Sequence, residues 1–256
     1  MVIYLLKKSY QLRDLKEIKF KDLWGDHGVF TTMWIYGSPP KILFFKEHIK
    51  NLIKSAKFYK ISKHSIKSDV LKILKKNLNT KKRYNHLLRV ALNKNILSIS
   101  LRKRIKPSLN FDLKLVNLKR QKPEFKNLKY KKILKYLSKL DNSRSDIALC
   151  SDKKIFETGT SNILLIKNEK VFSPINKFYK GVTYKFFKSK INKIFKKDIL
   201  INSIKNFDEI ILIGSGKGVV SVKTIKEIKW KRKSLKFYNI FSKNFKTAIN
   251  SCQIYN

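Results

Sequence analysis

Four short segments of this chain hold more hydroxyls, glycines and isolated charge than their surroundings. Glu157-Thr158-Gly159-Thr160-Ser161-Asn162 sets a carboxylate ahead of hydroxyls and an amide, directly before the apolar run Ile163–Ile166. On its own this reads as a polar loop. Lys180-Gly181-Val182-Thr183 stands before an apolar helical stretch. Backbone N–H groups at a helix start, backed by a threonine hydroxyl, favour a phosphate there. Gly25-Asp26-His27-Gly28-Val29-Phe30-Thr31-Thr32 reads as a tight turn running into an apolar, hydroxyl-bearing strand. Gly214-Ser215-Gly216-Lys217-Gly218 follows a strand and invites a nucleotide-loop reading, but its spacing fails. A Walker loop needs glycine where Ile211 stands, and Ser or Thr where Gly218 stands. A nest of backbone N–H groups able to hold an oxyanion is the reading that survives.

The elements that must position these segments follow from periodicity. Ile49, Leu52, Ile53 and Ala56 make one apolar stripe on a helix over His48–Tyr59, and Ile66, Val70, Leu71, Leu74 and Leu78 make another. Leu87–Leu92 and Ile96–Leu101 read as strands joined by a hairpin at Asn93-Lys94-Asn95, and Phe111–Val116 as a further strand. A polar stretch around Lys119–Lys126, with Pro123 inside it, is the candidate linker. Beyond it, Ile133, Leu134, Leu137 and Leu140 mark a helix and Ile147–Cys150 a short buried strand. Ile163–Ile166 and Lys170–Phe172 are strands turning at Asn168-Glu169. Phe186, Phe187, Ile191, Ile194 and Phe195 form one helical face, and Glu209–Ile213 and Val219–Val222 close the pattern. The natural reading is an α/β (α+β) chain in two parts with mixed or antiparallel sheets. The expected boundaries are 1–118 for a smaller N-terminal domain, 119–126 for the linker and 127–256 for a larger C-terminal domain.

With 256 residues, 43% hydrophobic and 12% aromatic, the chain has ample material for a core. No apolar run reaches the roughly 18–20 residues of a membrane span. The N-terminal Met-Val-Ile-Tyr-Leu-Leu-Lys-Lys is too short for the apolar region of a signal peptide and carries its charge on the wrong side. Cys150 and Cys252 are far apart and have no metal-ligand spacing, so no metal site, no disulfide framework and a cytoplasmic location are expected. The net charge of +43 would draw nucleic acid or anionic lipid through its long-range field. Its lysines, however, are spread along the whole chain, as at Lys75-Lys76, Lys81-Lys82-Arg83, Lys131-Lys132, Lys153-Lys154 and Lys196-Lys197. That spread is expected of a solvated surface, without membrane or specific nucleic-acid binding.

Taken in order, the four segments resemble the fold-type IV pyridoxal-phosphate enzymes, the class IV aminotransferases, from about Trp24 to Ile225. Glu157-Thr-Gly-Thr-Ser-Asn162-Ile-Leu is similar to the family's glutamate turn, and Phe178-Tyr-Lys-Gly181-Val-Thr183 to its phosphate turn. Asp208-Glu209-Ile-Ile-Leu-Ile-Gly214-Ser215 with Gly218-Val-Val-Ser-Val222 is similar to its late strand–turn–strand. Gly28-Val-Phe-Thr-Thr, Glu47-His48-Ile and Ser55-Ala56 match its early segment. The resemblance implies a two-domain fold with pyridoxal 5'-phosphate in the interdomain cleft, a small-molecule amino substrate and a homodimer. It also requires a lysine upstream of the glutamate, and Lys126, Lys129, Lys131, Lys132 and Lys135 are all in range. The family's spacing from proline to lysine selects Lys129, through Pro123-Glu-Phe-Lys-Asn-Leu128-Lys129, with Lys126 as runner-up.

The implied roles are specific. Lys129 carries the cofactor and moves protons, and Glu157 keeps the ring nitrogen protonated so that the ring draws electrons. Asn162 orients Glu157 or the ring hydroxyl, while Val182, Thr183, Ser215 and Gly216 hold the phosphate, with a substrate carboxylate as a second candidate ligand. Three departures stand out: Asn51 where the family usually has a phosphate-binding arginine, Ile133 where many members have Tyr or Arg, and Tyr184 in place of a common arginine. Within the family, Phe30-Thr31-Thr32 and the Pro123-to-Lys129 spacing are most similar to aminodeoxychorismate lyase. That enzyme makes 4-aminobenzoate and pyruvate for folate, and the resemblance gives Thr31 or Thr32 a catalytic part as hydroxyl partner of the leaving group. A branched-chain or D-amino-acid aminotransferase is the alternative. A basic RNA-binding protein on a degenerate enzyme fold, stacking bases on Tyr184-Lys-Phe-Phe-Lys, is the alternative of another class.

Overall fold

The computed structural model describes residues 3–61 and 65–255; Met1 and Val2 of the N-terminal run lie outside it. The chain packs as two units. One comprises Met1–Arg104, Phe125–Lys131 and Ser251–Asn256, the other Ile105–Glu124 and Lys132–Asn250.

In the first unit the strands β1 (Tyr4–Gln11), β2 (Glu17–Ile18), β3 (Gly28–Gly37) and β4 (Lys41–Ile42) are followed by helices α1 (Phe45–Phe58) and α2 (Ile66–Asn77), then β5 (Tyr84–Asn93) and β6 (Ile96–Lys103). The strands form an antiparallel sheet in the order β2-β1-β6-β5-β3-β4. Alternation along β3 sends Val29, Thr31, Met33 and Ile35 to one buried face, where they meet Ile49, Leu52 and Ala56 of α1 and Val70 and Leu74 of α2 in one core. The β5–β6 hairpin turns where expected, because the Asn93 side chain accepts from the backbone N–H groups of Asn95 and Ile96 at 3.0 and 2.8 Å.

Residues 125–131 lie along β3. The Leu128 N–H donates to the Gly28 carbonyl at 2.9 Å, and the Phe30 N–H to the Lys126 carbonyl at 3.0 Å. Gly28 makes this approach possible: a Cβ there would stand 2.4 Å from the Leu92 oxygen and 2.7 Å from Leu128 Cδ1.

The second unit contains β7 (Phe111–Asn117), α3 (Lys131–Leu137, all but its first residue), β8 (Ser145–Ser151), β9 (Lys154–Thr158), β10 (Asn162–Lys167), β11 (Lys170–Ser173) and α4 (Val182–Lys190). It continues with β12 (Ile194–Lys196), β13 (Ile199–Leu200), β14 (Glu209–Gly214), β15 (Gly218–Ile225), β16 (Trp230–Lys231) and α5 (Lys236–Asn250). The sheet runs β12-β11-β10-β14-β15-β7-β8-β9-β13, with β16 beside β15. It is mixed: β7 is parallel to both β8 and β15, and β11 to β12, while the other pairs are antiparallel. Phe111, Ala148, Ile163, Leu165, Leu212 and Val222 lie in its core.

The α/β class with mixed and antiparallel sheets is as expected, but several elements differ. The strand β7, expected in a domain ending at 118, pairs with β8 and β15, so packing groups it with the later strands. The expected helical face from Phe186 to Phe195 breaks at Ile191, whose backbone is extended. Ile194 and Phe195 instead extend the sheet beside β11, where Phe195 packs on Phe172 at 5.6 Å. The helix expected to reach Leu140 stops at Leu137. Periodicity also leaves β1, β9 and α5 without an expectation. Among the described residues no helix is long and apolar enough to cross a membrane.

Candidate active site

Lys129, Thr31 and Thr32 belong to the first unit. Lys129 is exposed, and its Nζ donates to the Gly25 carbonyl at 2.7 Å. It borders an open depression of about 470 Å³ shared with Gly25, Asp26, His27, Asn93 and Lys94. The neighbouring Tyr130 joins an aromatic group: its ring stacks on Trp24 at 5.7 Å and meets Phe30 edge-on at 5.5 Å. The Arg89 guanidinium lies 4.4 Å from the Trp24 ring. Lys126, the runner-up, sits over the Phe30 ring at 5.1 Å.

Thr31 is buried on the helix-facing side of β3, with its hydroxyl 2.8 Å from Nδ1 of His48 on α1. Thr32 lies on the opposite side of the strand, half-buried. His48 is fully buried, and burial, aided by the nearby Lys126 charge, pushes its pKa down to about 3. The imidazole is therefore neutral at ordinary pH, and its bond to Thr31 couples strand to helix. Asn51, one turn further along α1, is also buried.

The second unit holds Glu157, Asn162, Val182, Thr183, Ser215 and Gly216. Glu157 occupies the end of β9 and is 6% exposed. Its partner is Arg120, which the sequence reading passed over. Arg120 Nε donates to Oε1 at 2.6 Å and Nη2 to Oε2 at 3.2 Å, and the same Nη2 donates to the Pro123 carbonyl at 2.6 Å. The Tyr179 N–H adds a donor to Oε2 at 3.3 Å. Two charges this deeply buried compensate each other and hold the carboxylate in one orientation.

Asn162 ties this turn to the next. Its amide donates to the Tyr179 carbonyl at 2.5 Å, and its oxygen accepts from the Gly181 N–H at 3.1 Å. Gly181 caps α4 in an extended conformation without a side-chain bond, so Val182 and Thr183 open the helix. The Thr183 and Ser215 hydroxyls lie 3.0 Å apart, both buried. Two segments distant in sequence, each expected to hold a phosphate, are thus brought together. Tyr184, by contrast, turns into the core, where its hydroxyl meets that of Ser173 at 3.1 Å. Ile133 is buried as well.

The donor chemistry present fits pyridoxal phosphate. A phosphate suits the hydroxyls of Thr183 and Ser215 at the start of α4, a protonated ring nitrogen suits a buried, oriented carboxylate, and an aldehyde suits an exposed amine. Comparison with known proteins agrees. The sequence profile of the amino-transferase class IV family matches residues 28–225, and the chain belongs to that family of pyridoxal-phosphate enzymes.

Among solved structures, the fold is similar to a branched-chain aminotransferase from Thermoproteus uzoniensis (TM-score 0.74, 14% identity, covering 95% of this chain and 93% of that one). It is also similar to a hypothetical aminotransferase from Mycobacterium tuberculosis in its cofactor-bound form (0.70, 12%, 96% and 99%). A third likeness is to a Legionella pneumophila protein provisionally assigned as a 4-amino-4-deoxychorismate lyase (0.70, 16%, 87% and 91%). Identities this low speak to the fold alone. No curated protein matches by sequence.

Proposed function

We propose that the chain is a pyridoxal-phosphate-dependent lyase that converts 4-amino-4-deoxychorismate into 4-aminobenzoate and pyruvate. Lys129 would attach the cofactor and Glu157, held by Arg120, would keep its ring nitrogen protonated. Thr183 and Ser215, with the backbone N–H groups of Val182 and Gly216, would hold its phosphate. Asn162 keeps the glutamate turn and the phosphate turn in register through its bonds to Tyr179 and Gly181. When bound, the cofactor draws electrons from the carbon bearing the substrate nitrogen. The Lys129 amine would accept the proton that leaves this carbon, and would return one as pyruvate departs and the ring becomes aromatic. Of the two candidate hydroxyls, Thr32 would meet the leaving oxygen, because the Thr31 hydroxyl is engaged with His48.

The observation that carries the lyase reading is the group Trp24, Phe30 and Tyr130 next to Lys129, with Arg89 over Trp24. Flat aromatic faces suit a cyclic substrate better than a branched aliphatic side chain, while the Arg89 guanidinium is itself paired with the Asp22 carboxylate. The test is to incubate the loaded protein with 4-amino-4-deoxychorismate and, separately, with branched-chain and D-amino acids plus a keto acid. Release of 4-aminobenzoate and pyruvate in equal amounts is expected. Amino transfer without pyruvate release would move the assignment to an aminotransferase.

A further inference from the structure

Asp146 is fully buried at the second position of β8, followed by the apolar Ile147–Cys150. Its Oδ2 accepts from Lys217 Nζ at 2.8 Å, Thr160 Oγ1 at 2.6 Å and Thr158 Oγ1 at 3.2 Å, and its Oδ1 from the Ile147 N–H at 2.8 Å. Gly159, between the two threonines, lies so close that a Cβ would stand 2.9 Å from Oδ1. The carboxylate therefore sits against the turn that follows Glu157. Lys217 comes from the three-residue turn Ser215–Lys217, whose ends Gly214 and Gly218 pair across the β14–β15 hairpin. Its side chain is 12% exposed, and its ammonium also lies 4.6 Å from the centre of the Phe111 ring.

Two features make this pair more than packing. Replacing a buried ion pair with apolar residues of similar volume is often neutral or stabilising, so stability alone is a weak reason for a charge here. What the pair does supply is a fixed, directional side-chain tie between two turns, in addition to the backbone pairing of β10 with β14. One turn carries Glu157 and Asn162; the other carries Ser215, whose hydroxyl meets Thr183.

We infer that Asp146 and Lys217 are a positioning pair: they hold the Ser215–Lys217 turn against the Glu157–Asn162 turn, and through Ser215 they set how tightly a phosphomonoester is gripped. Neither side chain touches the ligand. The inference rests on the reading of Thr183 and Ser215 as the phosphate side of the site.

A double-mutant cycle tests it, using Lys217→Met, Asp146→Asn, the double variant and Lys217→Arg. Dissociation constants of the cofactor-free protein are measured for pyridoxal phosphate and for pyridoxal, which lacks the phosphate. Protection by inorganic phosphate against thermal unfolding is measured alongside. Each single variant is expected to weaken pyridoxal phosphate binding by about tenfold or more, in line with the loss of an outer-shell partner, with pyridoxal binding unchanged. The double variant should be no worse than the poorer single variant, and Lys217→Arg should restore most of the affinity.

If Lys217 attracted the phosphate directly, Asp146→Asn would free that cation and tighten binding; such a result overturns the inference, as do equal losses for both ligands. Should the single variants fail to fold, the double variant, which strands no charge, carries the test, and unchanged discrimination in it contradicts the inference. A wild-type protein that does not distinguish the two ligands would overturn the phosphate assignment itself. Normal wild-type discrimination that survives in the variants would overturn the pair alone.

Discussion

Glu157 and Arg120 form the most deeply buried charge pair that bears on the proposed chemistry, with side chains 7% and 4% exposed. If the carboxylate stabilises charge on the cofactor ring, Glu157→Gln keeps its size and hydrogen bonding but removes that charge. Covalent attachment at Lys129 should persist while kcat falls roughly 100- to 1000-fold, about 3–4 kcal/mol, with little change in KM. Full turnover in a folded Glu157→Gln protein would reduce the residue to loop polarity. Arg120 belongs to the same unit of charge. Arg120→Gln leaves a carboxylate buried without its guanidinium and should lower unfolding free energy by about 3–5 kcal/mol. Urea denaturation should show much of that loss recovered in Arg120→Gln/Glu157→Gln, and strictly additive losses would argue against the pairing.

The coupling of β3 to α1 through Thr31 and His48 has a pH signature. The native His48 ring resists protonation until about pH 3, whereas an unfolded histidine takes a proton near pH 6.5. Its contribution to stability is therefore complete above about pH 6.5 and is lost as pH falls toward 3, at about 1.4 kcal/mol per unit. Between pH 7 and pH 5 the wild type should lose about 2 kcal/mol more than His48→Gln, measured by urea unfolding. Equal losses would mean the ring is not held neutral. Gly28 offers a second check on the same strand. Gly28→Ala would force a methyl against the Leu92 oxygen and Leu128, and should cost about 1–3 kcal/mol in thermal or urea unfolding. No loss would show that residues 125–131 do not lie on β3 as described.

These elements also show what could be read from the sequence and why the rest could not. The stripes of α1 and α2 and the Asn93 turn were legible because their signals are local: period 3.6 in one case and an asparagine side chain bonding its own turn in the other. The Phe186–Phe195 stretch misled because apolar spacing alone does not separate a helix from a helix end followed by a strand. The placement of β7 depends on parallel partners distant in sequence, which no local pattern encodes. The start of α5 is held by Glu209, whose carboxylate accepts from the N–H groups of Phe237 and Tyr238 at 2.9 Å each; a cap supplied from another strand leaves no mark near the helix itself. In the site, the hydroxyl-rich turns were visible as motifs. Arg120 and Asp146 were not, because each acts through a partner far along the chain.

The charge of +43 belongs to the molecule as a whole. The basic runs at 75–76, 81–83, 131–132 and 196–197 are exposed and lie far apart along the chain. Binding to unrelated RNA should therefore appear at low salt and vanish at moderate salt, as counterion release dictates. Binding that survives moderate salt would favour a dedicated nucleic-acid surface. We also propose a homodimer with symmetric contacts. Sizing at moderate salt should give about twice the 30.3 kDa chain mass, and an active, cofactor-loaded monomer would contradict this.

We propose that Lys129 carries the cofactor. The most direct test is to load the protein with pyridoxal phosphate, reduce with borohydride, digest and map the modified peptide by mass spectrometry. A single reduced adduct on Lys129 is expected, absent from Lys129→Ala, with the near-ultraviolet or visible band of the loaded protein lost in the same variant. An adduct on Lys126 or Lys135, or an undiminished adduct in Lys129→Ala, would contradict the proposal.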